Sequence, residues 1–220
     1  MNTRTEIRDR FLRVDTANVS DVLDTMGLRD QSLASLLVPF STGRIAGFAY
    51  TIMGEVAPYE EQGDAAKMDA CDGVSDSEVT IWSGQAEGVC YFGELIALGM
   101  MERGSVGAVL DGGIRDVRWL EEHGFPVYAA YRTPTQSIHR WKVTGWQSPV
   151  YMPGATSQRV IVHPGDFVLG DEDGIIIIPA AYIEEVLSEA ERMTASEIEI
   201  RRALQSGMSL TEALDAYGHV

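Results

Sequence analysis

Two short segments hold the residue types most able to do chemistry. In Asp111-Gly112-Gly113-Ile114-Arg115-Asp116, an apolar stretch gives way to a helical pattern. That is the place where α/β proteins offer backbone and side chains to ligands. Paired glycines let a backbone turn sharply and approach a small ligand closely. Arg115 carries a planar fork suited to a carboxylate, and Asp116 an oxygen suited to a hard divalent ion. The same residues also describe an ordinary helix start, with Asp favoured near the N-terminus and Arg on the surface. Local physics leaves both readings open.

The second segment is Gly93-Glu94-Leu95-Ile96, which opens a helix after Tyr91 and Phe92. Unsatisfied N–H groups at a helix start form an anion site suited to a carboxylate, while Glu94 also complements the dipole. Other polar clusters are less suggestive. Gly170-Asp171-Glu172-Asp173-Gly174 lacks the twelve-residue ligand spacing of a calcium loop and reads as a hairpin turn. His123, His139, His163 and His219 show no paired spacing, and Ser75, Ser83 and Ser137 lack a G-x-S-x-G setting. Lys67 and Lys142 have no sequence setting that suggests a Schiff base. No GxGxxG fingerprint is present.

Composition narrows the function classes. The chain has 220 residues, 45% hydrophobic and 23% charged, enough for a substantial core. Asp and Glu total 33 against 17 Lys and Arg, a formal net charge of -16. Such a surface repels nucleic-acid phosphates and anionic lipid, so neither is an expected partner. A few cations inside a cleft still suffice for an anionic substrate. Cys71 and Cys90 show no CxxC spacing and read as two reduced, buried thiols. With no apolar leader in Met1–Arg13, and no stretch near the roughly 18 apolar residues that span a bilayer, a cytoplasmic protein is expected.

The elements that must position these residues follow from periodicity. Helices are expected at Thr5–Val14, Thr16–Met26, Gly63–Cys71, Phe92–Arg103, Val117–Glu121 and Ile183–Ala203. A last short one over Ser209–Tyr217 has Ser209 and Glu212 at capping-box spacing. Strands are expected at Ile45–Met53, Glu78–Trp82, Ala108–Leu110 and Pro126–Ala130, an alternation with helices that argues for partly parallel strands. Lys142–Met152, Arg159–His163, Phe167–Leu169 and Ile175–Ile178 read as an antiparallel set, the four isoleucines as a strand buried on both faces. With no repeat or linker, residues 1–220 are expected to form one domain.

Taken in order, several segments resemble the RraA-like family. They are Val19-Ser20-Asp21-Val22-Leu23-Asp24 with Gly27, Ile45-Ala46-Gly47, Gly93-Glu94-Leu95, Asp111 to Asp116, Pro126-Val127-Tyr128, Pro164-Gly165-Asp166 and Asp171-Glu172-Asp173-Gly174 with Pro179. That family includes 4-hydroxy-4-methyl-2-oxoglutarate/4-carboxy-4-hydroxy-2-oxoadipate aldolases and the regulator of ribonuclease activity A. The resemblance implies an α/β fold of the layered, swivelling β/β/α type, with mixed sheets flanked by helices and a long C-terminal helix. It also implies a homotrimer or hexamer with the site between subunits.

For the site, the resemblance implies that Arg115 holds a 2-oxo acid and Asp116 ligates Mg2+ or Mn2+. The backbone of Gly93, Glu94, Leu95 and Ile96 receives the substrate carboxylate, and Glu94 contacts a water on the metal. A glutamate of a neighbouring subunit's C-terminal helix completes the shell, with Glu191, Glu197 and Glu199 as the matches. His139 stands where relatives often carry glycine. The implied reaction is class II aldol cleavage of a 4-hydroxy-2-oxo acid to pyruvate, with oxaloacetate decarboxylation as a side activity, because both pass through the same enolate. The rival is a non-catalytic acidic regulator that binds and inhibits a ribonuclease. A methyltransferase is disfavoured, because no glycine-rich nucleoside loop follows a strand.

Overall fold

The computed structural model describes residues 2–41 and 43–218; His219 lies outside them. Two amino-terminal helices open the chain, α1 (Arg4–Phe11) and α2 (Thr16–Thr25). A two-residue strand β1 (Val38–Pro39) leads to the long β2 (Ile45–Val56), then α3 (Ala65–Asp72) and β3 (Glu78–Ser83). Next come β4 (Cys90–Phe92), α4 (Glu94–Met101), β5 (Ser105–Ile114), α5 (Val117–Glu122) and β6 (Val127–Arg132). The rest comprises β7 (Trp141–Trp146), β8 (Val150–Pro153), β9 (Arg159–Val162), β10 (Phe167–Asp171), β11 (Gly174–Ile178), α6 (Ile183–Gln205) and α7 (Leu210–Tyr217).

Nine strands form one mixed sheet in the order β1-β6-β5-β3-β2-β10-β11, with β4 added to β5 and β7 to β2. Strands β2, β3, β5 and β6 run parallel, as expected where helices make the crossovers. Strands β7, β10 and β11 add antiparallel edges, and β8–β9 form a separate hairpin.

Strand alternation explains the layering. Along β2, Ala46, Phe48, Tyr50 and Ile52 face helices: Phe48 joins a cluster with Phe11, Leu23 and Leu187, and Tyr50 one with Ala70, Ala97 and Leu120. Ile45 and Ala49 point the other way, into a cluster with Val150, Met152, Val160 and Val162 of the β8–β9 hairpin. The isoleucine run divides likewise, Ile176 and Ile178 toward α2 and α6, Ile175 and Ile177 toward the hairpin. A strand sandwiched on both faces needs no polar alternation, and all four are buried. The result is hairpin, sheet and helices in three layers.

Helix ends follow their sequence signals. Thr3 with Glu6 and Ser209 with Glu212 form capping boxes at α1 and α7. Asp15 supplies no side-chain cap to α2; the buried Asp171 does the work from the β10–β11 turn, accepting from the Thr16 amide at 2.9 Å and the Thr16 hydroxyl at 2.6 Å. Asp171 also binds the Asp173 amide and Arg44. The acidic turn is structural.

Two sequence expectations change. Lys142–Met152 is two strands rather than one, broken where Gln147 adopts a left-handed φ of 51° before Pro149. The segment from Asp111 to Asp116 is not a turn throughout. Asp111 to Ile114 continue β5, and only Arg115 and Asp116 leave it. The glycines are there for packing: a Cβ on Gly112 would overlap the Tyr91 ring, and one on Gly113 would lie 2.5 Å from Tyr131 and 2.6 Å from the Val89 carbonyl oxygen.

Candidate active site

The parallel strands β4 and β5 end side by side, and the two candidate segments leave the sheet from their tips. The Arg115 amide donates to the Phe92 carbonyl at 3.0 Å, tying one segment to the other. Asp116 then turns the chain in a left-handed conformation (φ 58°, ψ 33°) as the residue before α5. Aspartate tolerates that region better than most residues. The turn sends its carboxylate back over the start of α4, where Oδ2 accepts the Glu94 amide at 3.0 Å and lies 3.5 Å from Arg115 Nε. Gly93 makes this approach possible, since a Cβ there would sit 2.6 Å from Asp116 Oδ2 and 3.0 Å from Arg115 Cγ.

These residues line one side of a cavity of about 770 Å³ that also includes Gly93, Glu94, Leu95 and Ile96. Every residue the sequence reading placed in the site is therefore in one place. Asp116, rather than an outside anion, takes the first helix amide. Leu95 and Ile96, at the next positions of the first turn, have no intrahelical acceptor for their N–H groups and leave the anion-binding character of the helix start available. Arg115 and Asp116 are partly solvent-exposed and Glu94 is half-buried.

Asp111 sits apart from this cavity. Buried beneath the loop after β3, it accepts the Gly84 and Gln85 amides at 3.0 to 3.2 Å and the Ser83 hydroxyl at 3.3 Å. Burial pushes its carboxyl up to about 6, with those hydrogen bonds and Arg159 pulling the other way. It fixes the loop after β3.

Several cavity residues were not among the sequence candidates. Gln136, Ser137 and Ile138 form the rim, so the loop that carries His139 does border the cavity. His139 has a φ of 66°, a left-handed position that favours glycine, and its ring nitrogen meets the Tyr59 carbonyl at 2.9 Å. Asp64 lines the wall but both its oxygens are committed, one to the Lys67 amide as helix cap and the other to the Val143 amide at 2.7 Å. Cys90 lines it as a free, buried thiol held protonated by burial. Lys67, for which the sequence suggested no role, is also in the lining, buried with its ammonium donating to the Tyr91 carbonyl. One signal was available: the chain has fifteen arginines and only two lysines.

Among the described residues no three His, Cys, Asp or Glu side chains converge as a ready metal cage. Asp116 and Glu94 are hard oxygen donors at one cavity mouth, which suits an ion such as Mg2+ that keeps several waters and takes one or two protein carboxylates. Of the C-terminal glutamates, Glu191 is held by Arg10 at 2.6 and 2.8 Å, which lowers its pKa; Glu199 is exposed and Glu197 partly so. No helix among the described residues is long and apolar enough to cross a membrane.

Residues 16–177 match the RraA-like family, described as Aldolase/RraA. The chain belongs to the RraA-like family. Among relatives of this RraA-like chain, a Halalkalibacterium halodurans protein provisionally named 4-hydroxy-4-methyl-2-oxoglutarate aldolase is 28% identical over 209 residues, 93% of this chain and 91% of that one. Protein DlpA of Legionella pneumophila is 26% identical over 98% of this chain, which spans only 34% of DlpA. Among solved structures, one described as novel cellulases from gut-associated microbes superposes with TM-score 0.83 at 25% identity, covering 90% of this chain and 88% of that one. Streptomyces coelicolor RraAS2, described as an unusual member of the RNase ES inhibitor RraA family, superposes with TM-score 0.76 at 24% identity, covering 91% and 99%. These likenesses match the mixed sheet, flanking helices and long α6.

Proposed function

We propose that this RraA-like chain is a divalent-metal-dependent pyruvate aldolase, cleaving 4-hydroxy-2-oxo acids such as 4-hydroxy-4-methyl-2-oxoglutarate and decarboxylating oxaloacetate as a side activity. The observation that carries the reading is the joining of Arg115, Asp116 and the α4 start at one cavity mouth. A pure binding surface has no physical need for a cation, a carboxylate and an unsatisfied helix start at the mouth of one cavity.

Asp116 would hold Mg2+ or Mn2+, which when bound would supply Lewis-acid stabilisation of the enolate left by C–C cleavage. Arg115 orients the 2-oxo acid and adds a charge-assisted hydrogen bond worth about 1.5–3 kcal/mol. The Leu95 and Ile96 amides take the substrate carboxylate. Glu94 holds the water that moves the proton. The apolar wall of Tyr91, Phe92 and Ile138 limits water around the developing charge. Glu197 or Glu199 is free to enter the site of a neighbouring copy in a trimer or hexamer, whereas Glu191 is engaged by Arg10.

The test is pyruvate release from oxaloacetate and from 4-hydroxy-4-methyl-2-oxoglutarate, with Mg2+ and then with excess chelator. Metal-dependent release that disappears in Asp116→Ala supports the reading; no release from either substrate sinks it. The second reading, a regulator that binds a ribonuclease, draws on the charge of -16 and on the description of RraAS2. A tight ribonuclease complex in a chain without lyase activity would favour it.

A further inference from the structure

In a chain with 33 acidic residues, an arginine is expected to meet a carboxylate, and those beside the candidate site do. Arg115 lies 3.5 Å from Asp116, and Arg118 lies 2.8 Å from Glu122. Arg132 is the exception. It is exposed at the end of β6, and among the described residues it forms no ion pair or hydrogen bond. Glu121 and Glu172 line an adjoining hollow that Arg132 shares, yet neither carboxylate comes within ion-pair distance of it. A guanidinium offers five donors in a planar fork that matches a carboxylate, and here that capacity is unused.

The register of the sheet places this open cation beside the candidate site. Arg132 pairs with Ile114 where β5 and β6 end together, and the Thr133 amide donates to the Ile114 carbonyl at 3.0 Å. Arg115 is the next residue along the chain from Ile114, so the two arginines leave neighbouring strand ends. With Asp116 and Thr133 they line a hollow of about 440 Å³. Arg115 and Asp116 also line the cavity of about 770 Å³ that holds the α4 start. They form the divide between the two, with the α4 amides on one side and Arg132 on the other. The Thr133 hydroxyl is turned to the Gly88 carbonyl at 3.4 Å. The smaller hollow thus brings two guanidinium groups and one carboxylate together, a local excess of positive charge on an acidic chain.

We propose that Arg132 binds the far carboxylate of a 2-oxo diacid whose 2-oxo acid end lies at Arg115 and the α4 start, so that dicarboxylic substrates are chosen over monocarboxylic ones. The inference rests on the reading that 2-oxo acids bind at Arg115, and it narrows their class. With the C1 carboxylate on the α4 amides and the C2 oxygen at Arg115, a second carboxylate at C5 reaches over the Arg115–Asp116 divide toward Arg132. A monocarboxylic chain of the same length puts a methyl group there and leaves the guanidinium in water. The sign of the effect separates this role from the field of the whole molecule. A net charge of -16 disfavours a ligand carrying one more negative charge, so a preference for the diacid has to come from a local cation.

The experiment titrates 2-oxoglutarate and 2-oxopentanoate into the full chain by calorimetry, with saturating Mg2+. The two probes have equal chain length, and neither carries the 4-hydroxyl that aldol cleavage needs. The diacid should bind on the order of tenfold more tightly, the low end for a hydrogen bond to a charged group because Arg132 is exposed to solvent. Arg132→Gln should bring the two affinities together by weakening 2-oxoglutarate. Arg118→Gln removes an equal charge from the neighbouring α5 and should leave the preference intact. Thermal melting checks the fold of both variants, each altered at an exposed side chain. Equal binding of the two probes by the unaltered chain overturns the proposal, as does a preference that survives Arg132→Gln or falls equally in Arg118→Gln. In each of those cases 2-oxo acids still bind, and the reading beneath the proposal stands. If neither probe binds, that reading fails and the proposal falls with it.

Discussion

Adding one methyl group at Gly93 should disable the candidate site without unfolding the chain. Gly93 has φ -165° and ψ -171°, extended backbone that alanine adopts without strain. The added Cβ would lie 2.6 Å from Asp116 Oδ2 and 3.0 Å from Arg115 Cγ, both in partly exposed side chains that can swing aside. Moving Asp116 breaks its bond to the Glu94 amide and displaces the carboxylate from the position where it would hold a metal. A hydrogen bond to a charged group is worth about 1.5–3 kcal/mol, or roughly 10- to 150-fold in rate. Stability should change by no more than about 1 kcal/mol, because no core contact is involved. The assay is kcat/KM for pyruvate release from oxaloacetate at saturating Mg2+, alongside a thermal melt. Unchanged kcat/KM in Gly93→Ala would refute the proposed role of Asp116. A melt that falls as steeply as the activity would refute the claim that the effect is local.

Three further outcomes are expected. Gly112→Ala should cost about 1–3 kcal/mol by overpacking the Tyr91 ring, lowering Tm by roughly 3–10 °C in differential scanning calorimetry. Asp171→Asn should cost about 2–4 kcal/mol in urea unfolding, since an amide cannot serve Thr16, Asp173 and Arg44 together. Asp111, raised above the ordinary value of 3.8 to about 6, holds a proton more tightly folded than unfolded. Its contribution to stability therefore grows as pH falls from about 7 toward 4 and is lost as pH rises through 6. The stability difference between the unaltered chain and Asp111→Asn should widen on acidification over that window; a difference that stays constant would contradict the raised pKa.

Elements that bury a whole face were legible in the sequence. Ile175 to Ile178 could only be a strand covered on both sides, and Ser209 with Glu212 marked the start of α7. Cys90–Phe92 was not legible as a strand, because three residues carry no periodicity and its pairing depends on β5. Asp111 to Ile114 was misread for a related reason. Consecutive glycines signal freedom locally, and only the rings of Tyr91 and Tyr131 pressing on them turn that freedom into close packing. In the candidate site, the order along the chain singled out Arg115, Asp116 and Gly93 to Ile96, and these residues do line one cavity. Lys67 was not singled out, because the orientation of α3 against β7 and the depth of the cavity decide its burial.

The stack of Tyr91 on Trp141, 4.2 Å between ring centres, is shared by the cavity wall and the central core. Gly54, Gly84 and Gly112 all lack the room for a side chain beside those two rings. The wall built there cannot be reshaped without repacking the middle of the protein. At the rim, the exposed Leu95 and Gln136 carry no such burden. Descendants of this chain that acquire new substrates should differ along that rim and keep the ring wall, so the two sides of one cavity would diverge at different speeds.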